Sequence, residues 1–271
     1  MDNIRLDSQG PDKKIDIRAY NRDAWDREVQ AGNQWTIPVS PESIQAARQG
    51  AWHIVLTPLI PVPDEWFPQP LAGKNVLCLA SAGGQQGPLL AAAGAQVTVL
   101  DNSPAQLDRD RMVARRENLA MRIMEGDMRD LSALGEGSFD LIIHPVSNLF
   151  VPDIQPVWNE AFRVLRRGDI LLSGFVNPAV FIFDLDAEEK EGILKARYSI
   201  PYSDLSSRTK EELQEYLSKG EPLEFGHSLD SQIGGQISAG FIMTGFFEDY
   251  APGMLLSTYM PTMLATRAIK P

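Results

Sequence analysis

A chain of 271 residues, 44% apolar and 23% charged, suits one large domain or a core with an appended lid, and excludes disordered and fibrous architectures. Its formal net charge is −11, with acids and bases mixed along the chain and no Lys/Arg-rich stripe, so nucleic acid and anionic membranes are poor partners. No run of about 18 apolar residues is present to span a bilayer, and the opening MDNIRLDSQGPDKK lacks the apolar stretch of a secretory signal.

Residues 1–14 are polar and expected to fray. Residues 16–56 carry helical patterns with the rings of Tyr20, Trp25, Trp35 and Trp52, and Pro58, Pro61, Pro63, Pro68 and Pro70 then exclude regular helix or central strand. Residues 1–70 are accordingly expected to form an N-terminal helical lid and its proline-rich connection, and residues 71–271 the core.

Strand and helix alternate from Lys74: a strand at Asn75–Ala80, a helix at Gln85–Ala93, a strand at Gln96–Asp101 and a charged helix at Pro104–Ala120. Further strands follow at Arg122–Glu125, Phe139–His144 and Asp169–Phe175, with a helix at Pro156–Leu165. That rhythm predicts a doubly wound, Rossmann-like α/β sheet, mostly parallel. Residues 184–222 break it as a charged insertion with a helix near Thr209–Lys219. Ser238–Phe247 and Met263–Ile269 read as two last strands joined without a clear helix, closing the sheet with an antiparallel strand.

The strongest local signal is the run from Val76 to Gly87, VLCLASAGGQQG, in which a buried strand enters small residues and then a helix. Small side chains let a ligand approach the backbone, and a helix start offers free N–H groups. Cys78 lies inside this strand and reads as a buried structural thiol. One cysteine can build neither a disulfide nor a thiolate cage, which fits a reducing cytosol. Asp101 ends the next strand and can accept from both ribose hydroxyls, although Asp101-Asn102-Ser103-Pro104 also suits a helix cap. Asp127 in Gly126-Asp127-Met128 can accept from an adenine amino group or be a solvated turn acid. Ala82-x-Gly84-x-x-Gly87 is a near match to a dinucleotide fingerprint, so an NAD(P)-dependent oxidoreductase is an alternative.

The segments LCLASAGGQQ, DNSPAQLDRDR, EGDMRDL, FDLIIHPVSNLFVPD, RVLRRGDILLSGF and IGGQISAGF together resemble a bacterial group of class I methyltransferases dependent on S-adenosylmethionine (SAM). The resemblance implies SAM as cofactor, S-adenosylhomocysteine as product and a small-molecule methyl acceptor. It implies cofactor contacts at Ala80, Ser81, Ala82, Gly83, Gly84 and Gln85. Asp101 would hold the ribose, with Asn102, Ser103 and Gln106 among the cofactor contacts, Asp127 and Met128 would meet the adenine, and His144 would border the sulfonium, with Trp35 closing from the lid. His144, Asn148 and His227 are the candidate catalytic residues, His144 as a base, Asn148 as an orienting amide and His227 as a histidine able to reach the same cleft. The three histidines show no metal-ligand spacing, so no metal is expected.

The chain departs from the family pattern where an acid is usual, at Cys78, and where glycines are usual, at Ala80 and Ala82. The missing acid leaves the methionine amino group to Gln85, Ser81 or a lid side chain. Alanine in the turn is comfortable only at negative φ. A SAM-binding sensor without turnover is the non-enzymatic alternative.

Overall fold

The computed structural model describes residues 15–271; the expectation for residues 1–14 lies outside the described residues. Helix α1 (Ile17–Ala31) begins at Asp16, whose carboxylate accepts from the Ala19 N–H, and stops at Gly32 in the left-handed region. Helix α2 (Pro41–Arg48) has Ser40 as its N-cap. The core then runs β1 (Asn75–Leu79), α3 (Gln86–Ala92), β2 (Gln96–Asp101), α4 (Pro104–Glu117), β3 (Met121–Glu125), β4 (Phe139–His144), α5 (Gln155–Val164) and β5 (Leu165–Val176). Between β5 and the last two strands lie α6 (Leu185–Glu191), β6 (Tyr202–Ser203), α7 (Asp204–Ser207), α8 (Lys210–Lys219), β7 (Phe225–Gly226) and α9 (Gly235–Ala239). The chain finishes with β8 (Ile242–Asp249) and β9 (Met263–Ile269).

Seven strands form one sheet in the order β3-β2-β1-β4-β5-β9-β8. Its pairs are parallel except around β9, which runs antiparallel to both β5 and β8. Val76 and Cys78 point into one core layer with Val97, Val99, Leu141 and Ile143; Leu77 and Leu79 point into the other with Ile142, Leu171 and Trp158. From Val76 to Leu79 the strand is buried on both faces, which is why VLCL shows no alternation. Cys78 is fully buried, and burial pushes its thiol pKa up.

One segment near the end of the chain differs from the sequence reading. The expected strand at Ser238 begins at Ile242, because residues 230–239 continue as a π turn and α9 until Gly240, at φ 110°, ends the helix. A Cβ at Gly235 would sit 2.7 Å from Trp158 Cδ1, so glycine there lets α9 close onto α5. The last two strands are joined through a 3-10 turn at Leu255–Thr258. No helix of the described residues is long and apolar enough to cross a membrane.

The proline-rich connection is fastened to the far edge of the sheet. Asp249 Oδ2 accepts from the Thr57 hydroxyl (2.7 Å) and the N–H groups of Leu59 (2.8 Å) and Ile60 (3.0 Å), while Oδ1 accepts from Tyr250 N–H (2.8 Å). Burial alone would raise this carboxyl's pKa, but the bonds from Leu59, Thr57, Ile60 and Tyr250 hold it below the usual range.

The turn after β1 uses its small residues unexpectedly. A Cβ on Gly83 would collide with the Gln106 backbone, and one on Gly84 would lie 3.1 Å from the Arg109 carbonyl oxygen, so these glycines admit α4 rather than a ligand. The two alanines take the left-handed conformations, at φ 47° for Ala80 and 66° for Ala82. Left-handed backbone costs an L-residue roughly 1–2 kcal/mol, against about 0.5–1 kcal/mol of folding entropy saved by not being glycine. Ala82→Gly is therefore expected to leave urea-unfolding stability unchanged or raise it by up to ~1 kcal/mol; an ordinary Ala→Gly loss would refute the strain. Asp249→Ala, which leaves three backbone donors and a hydroxyl without their acceptor, should lower it by roughly 2–3 kcal/mol. The contribution of Asp249 should be full above the unfolded carboxyl pKa near ~4 and fade as pH falls through the lower folded value. Urea titrations of wild type and variant at pH 7 and pH 3 would measure this difference.

Candidate functional site

Strand order reverses between β1 and β4, and the loops leaving their carboxyl ends part to opposite faces of the sheet. A cavity of about 520 Å³ opens there, within the range of about 300–1,000 Å³ usual for small-molecule sites. Its floor carries Ala80 and Ala82 after β1, Asp101 and Asn102 at the end of β2, Asp127 and Met128 after β3, and Pro145–Ser147 after β4.

Helix α1 forms the roof. Arg18, Asn21, Trp25 and Glu28, at spacings of three and four residues, are one stripe of the helix and all line the cavity. Asp26 Oδ1 accepts from the Ser103 hydroxyl (2.6 Å) and the Ala105 N–H (3.1 Å), fixing α1 to the start of α4. Arg18 and Asn102 exchange two hydrogen bonds, and Arg18 Nε lies 3.9 Å from Asp127. Asn21 donates to the carbonyls of Phe150 (2.9 Å) and Leu223 (3.0 Å) and accepts from Leu223 N–H (2.8 Å), tying the roof to the segment before β7. Trp25 meets Phe150 edge to face at 5.1 Å.

Nine of the expected cofactor residues line the cavity: Ala80, Ala82, Gln85, Asp101, Asn102, Gln106, Asp127, Met128 and Trp35. Asp101 accepts from Ser103 N–H at one oxygen (2.8 Å); burial pushes its pKa up to about 6, opposed by the Ser103 and Asn102 N–H groups. The helix cap is Ser103, whose hydroxyl oxygen accepts from Gln106 N–H, so Asp101 is not needed as N-cap. Asp127 would be raised by burial, but its fork with Arg129 (2.7 Å at the shortest) keeps it ionised and occupies part of its accepting capacity. Gln85 spends its amide on the carbonyls of Gln34 (3.1 Å) and Ile37 (2.9 Å), holding the lid to the turn.

The structure corrects the remaining expectations. Ser81, Gly83, Gly84 and Ser103 lie behind the wall. The Gly83 and Gly84 N–H groups donate to Gln106 Oε1 (2.8 Å) and Asp110 Oδ1 (3.0 Å). The amides that would cradle a diphosphate are thus already bonded, which removes the physical basis of the dinucleotide alternative.

His144, Asn148 and His227 also stand outside the cavity wall. His144 is fully buried, and burial lowers its pKa; Nδ1 lies 3.0 Å from the Leu79 carbonyl and Nε2 2.7 Å from the Asn148 side-chain amide. Asn148 continues to Gln232 (2.9 Å). His227 Nε2 bridges the carbonyls of Asn148 (3.1 Å) and Val151 (2.9 Å). With every ring nitrogen but one engaged, these residues hold the loop after β4 in shape, and Ser147 is its polar side chain on the cavity.

Sequence reading missed Arg18, Asn21 and Glu28, although their spacing around Trp25 was a usable signal for a polar inner face. It also missed Arg129, Tyr216, Glu221 and Glu224, which reach the cavity only through tertiary folding. Glu224 makes no side-chain hydrogen bond among the described residues; burial pushes its carboxyl up to about 8, with the nearby Asp204 adding to the shift. Arg208 opposes that shift and Glu221 adds to it, while elsewhere the cavity lining includes the apolar Val146, Val180, Phe181, Met254 and Met263.

Residues 77–173 match the methyltransferase domain family model. The chain is 53% identical over 252 residues to the uncharacterised methyltransferase YbaJ of Bacillus subtilis (strain 168), covering 93% of this chain and 98% of that protein. It is 29% identical over 136 residues to a ubiquinone biosynthesis O-methyltransferase of Xanthomonas oryzae pv. oryzae (strain PXO99A), covering 49% of this chain and 57% of that one. Among solved structures, SAM-dependent methyltransferases from Mesorhizobium loti and Methanosarcina mazei share the fold, with TM-scores of 0.57 and 0.53 at 16% identity. The first match covers 76% of this chain and 94% of that one, the second 79% and 99%. A seven-stranded sheet with antiparallel β9, an acid at the end of β2 and a near full-length methyltransferase relative lead to one conclusion: the chain belongs to the class I SAM-dependent methyltransferases.

Proposed function

We propose that this methyltransferase acts on a small, largely apolar acceptor, and that Glu224 takes up the acceptor's proton. The carrying observation is the cavity, whose lining combines the polar strand ends, apolar side chains and Glu224, which has no hydrogen-bond partner among the described residues. The residues present suit SAM: Asp101 has an oxygen available for ribose hydroxyls, Asp127 and Met128 border an adenine position, and Ala80 and Ala82 offer a narrow wall to the methionine part. When bound, SAM supplies an already activated methyl group, which leaves alignment, water exclusion and proton handling to the chain.

Alignment falls to the fixed loop after β4, where Ser147 donates to the Pro145 carbonyl (3.1 Å) and lines the cavity. Exclusion of water falls to α1 with Trp25 and Phe150, and to the insertion. The cavity's cations, Arg18 and Arg129, are both engaged with Asp127, which disfavours phosphate or carboxylate acceptors. The net charge of −11 disfavours nucleic acid likewise.

S-adenosylhomocysteine at about 100 times its dissociation constant should stabilise the protein by roughly 2.7 kcal/mol in thermal unfolding, and NAD should not. Stabilisation by NAD alone would overturn the site assignment. A carboxyl with pKa about 8 is protonated below that pH and takes a proton only above it, so turnover with an acceptor that loses its proton should rise through pH 8. Glu224→Gln should lose roughly 10²–10⁴-fold in kcat and flatten that rise, with S-adenosylhomocysteine affinity retained. An unchanged pH profile in the variant would remove Glu224 from this role.

A further inference from the structure

The tail of SAM carries an ammonium group, and a cation entering a cavity needs an anion to replace its water. With ribose at Asp101 and adenine at Asp127, as proposed above, the tail lies at the turn after β1. That turn offers no charge: residue 78 is a buried cysteine, Ser81 is behind the wall, and the Gly83 and Gly84 N–H groups are donors already bonded to Gln106 and Asp110. The Gln85 amide is committed to the lid carbonyls.

Glu28 comes to the same place from the roof. It lines the cavity, and its Oε2 accepts from Asn33 Nδ2 (2.7 Å); the adjoining Gln34 carbonyl accepts from Gln85, which joins this end of α1 to the turn. Oε1 has no hydrogen-bond partner and Glu28 no ion-pair partner among the described residues. Along the same stripe, Arg18 meets Asn102 and Asp127 at the proposed adenine end. Ten residues of helix separate Arg18 from Glu28, a rise of about 15 Å, which suits a nucleoside with an extended amino-acid tail.

We infer that Glu28, a roof residue and not a strand residue, binds the ammonium group of the cofactor's tail. The inference rests on the SAM site proposed above. The Asn33 amide holds the Glu28 carboxylate in place, so its charge is positioned before the ligand arrives.

The test compares two ligands by titration calorimetry on the full chain: S-adenosylhomocysteine, and 5′-methylthioadenosine, which keeps the adenosine and thioether but lacks the amino acid. Glu28→Gln, nearly isosteric and still able to bond Asn33, should weaken S-adenosylhomocysteine by roughly 10- to 100-fold and leave methylthioadenosine within about twofold. Equal weakening of both ligands would mean a general distortion of the roof and would overturn the inference. So would unchanged affinity for S-adenosylhomocysteine in a variant that folds and binds methylthioadenosine. Failure of both ligands to bind the unsubstituted protein would overturn the site assignment, and the role of Glu28 with it.

Discussion

The contact of Asp26 with the first turn of α4 is the interaction on which the site depends. A parallel sheet leaves its carboxyl edge open, because each strand's loop departs to one face or the other and nothing in the repeating unit covers the gap. One carboxylate that accepts from both the Ser103 hydroxyl and the Ala105 N–H lays α1 across that gap at the helix start where a negative charge is welcome. Fixing the helix there fixes its stripe from Arg18 to Glu28 over the strand ends. The bonds of Arg18 with Asn102 and of Asn21 with Phe150 and Leu223 hold the same helix at two further points.

Burial also sets the electrostatics. Asp101, Asp110 and Glu224 are all pushed upward, to about 6, 8 and 8, with burial the largest cause in each case. Asp110 is spent inside the protein, on the Gly84 N–H. Asp101 and Glu224 line the cavity, one at the end of β2 and one in the segment before β7, so a single cavity holds two acids with different protonation states near neutral pH. Asp127 stays ionised through Arg129.

Much of the sheet was legible because the information is local. An all-apolar run such as VLCL, a glycine-bearing turn and an acid at the end of QVTVLD report their neighbours in sequence, and the structure puts Asp101 on the cavity. The errors share another cause. Gly83 and Gly84 look like ligand contacts from sequence, yet their space is taken by Gln106 and Arg109, more than twenty residues away. His144 at a strand end looks like a base until Leu79 and Asn148 are seen on its two nitrogens. Glu224 in GEPLEF carries no local mark at all; only the Asn21 clamp on Leu223 and the Asp204 contact with the Glu224 N–H bring it to the cavity. The departure at Ala80 and Ala82 was visible, and its outcome, positive φ at both, is a conformation that sequence alone disfavours.

The two walls above the strand ends come from separate stretches of chain, one preceding β1 and one inserted between β5 and β8, and neither supplies a strand to the seven-stranded sheet. The insertion can vary without touching the strand pairings of the large sheet, whereas the stretch before β1 is tied to β8 through Asp249 and packs into the core against the strands. Divergence can therefore act on the acceptor side in steps that do not disturb the strand ends, so that the choice of acceptor is inherited separately from the fold. Duplicated copies of such a gene could part company in substrate while remaining recognisable as kin through their shared half.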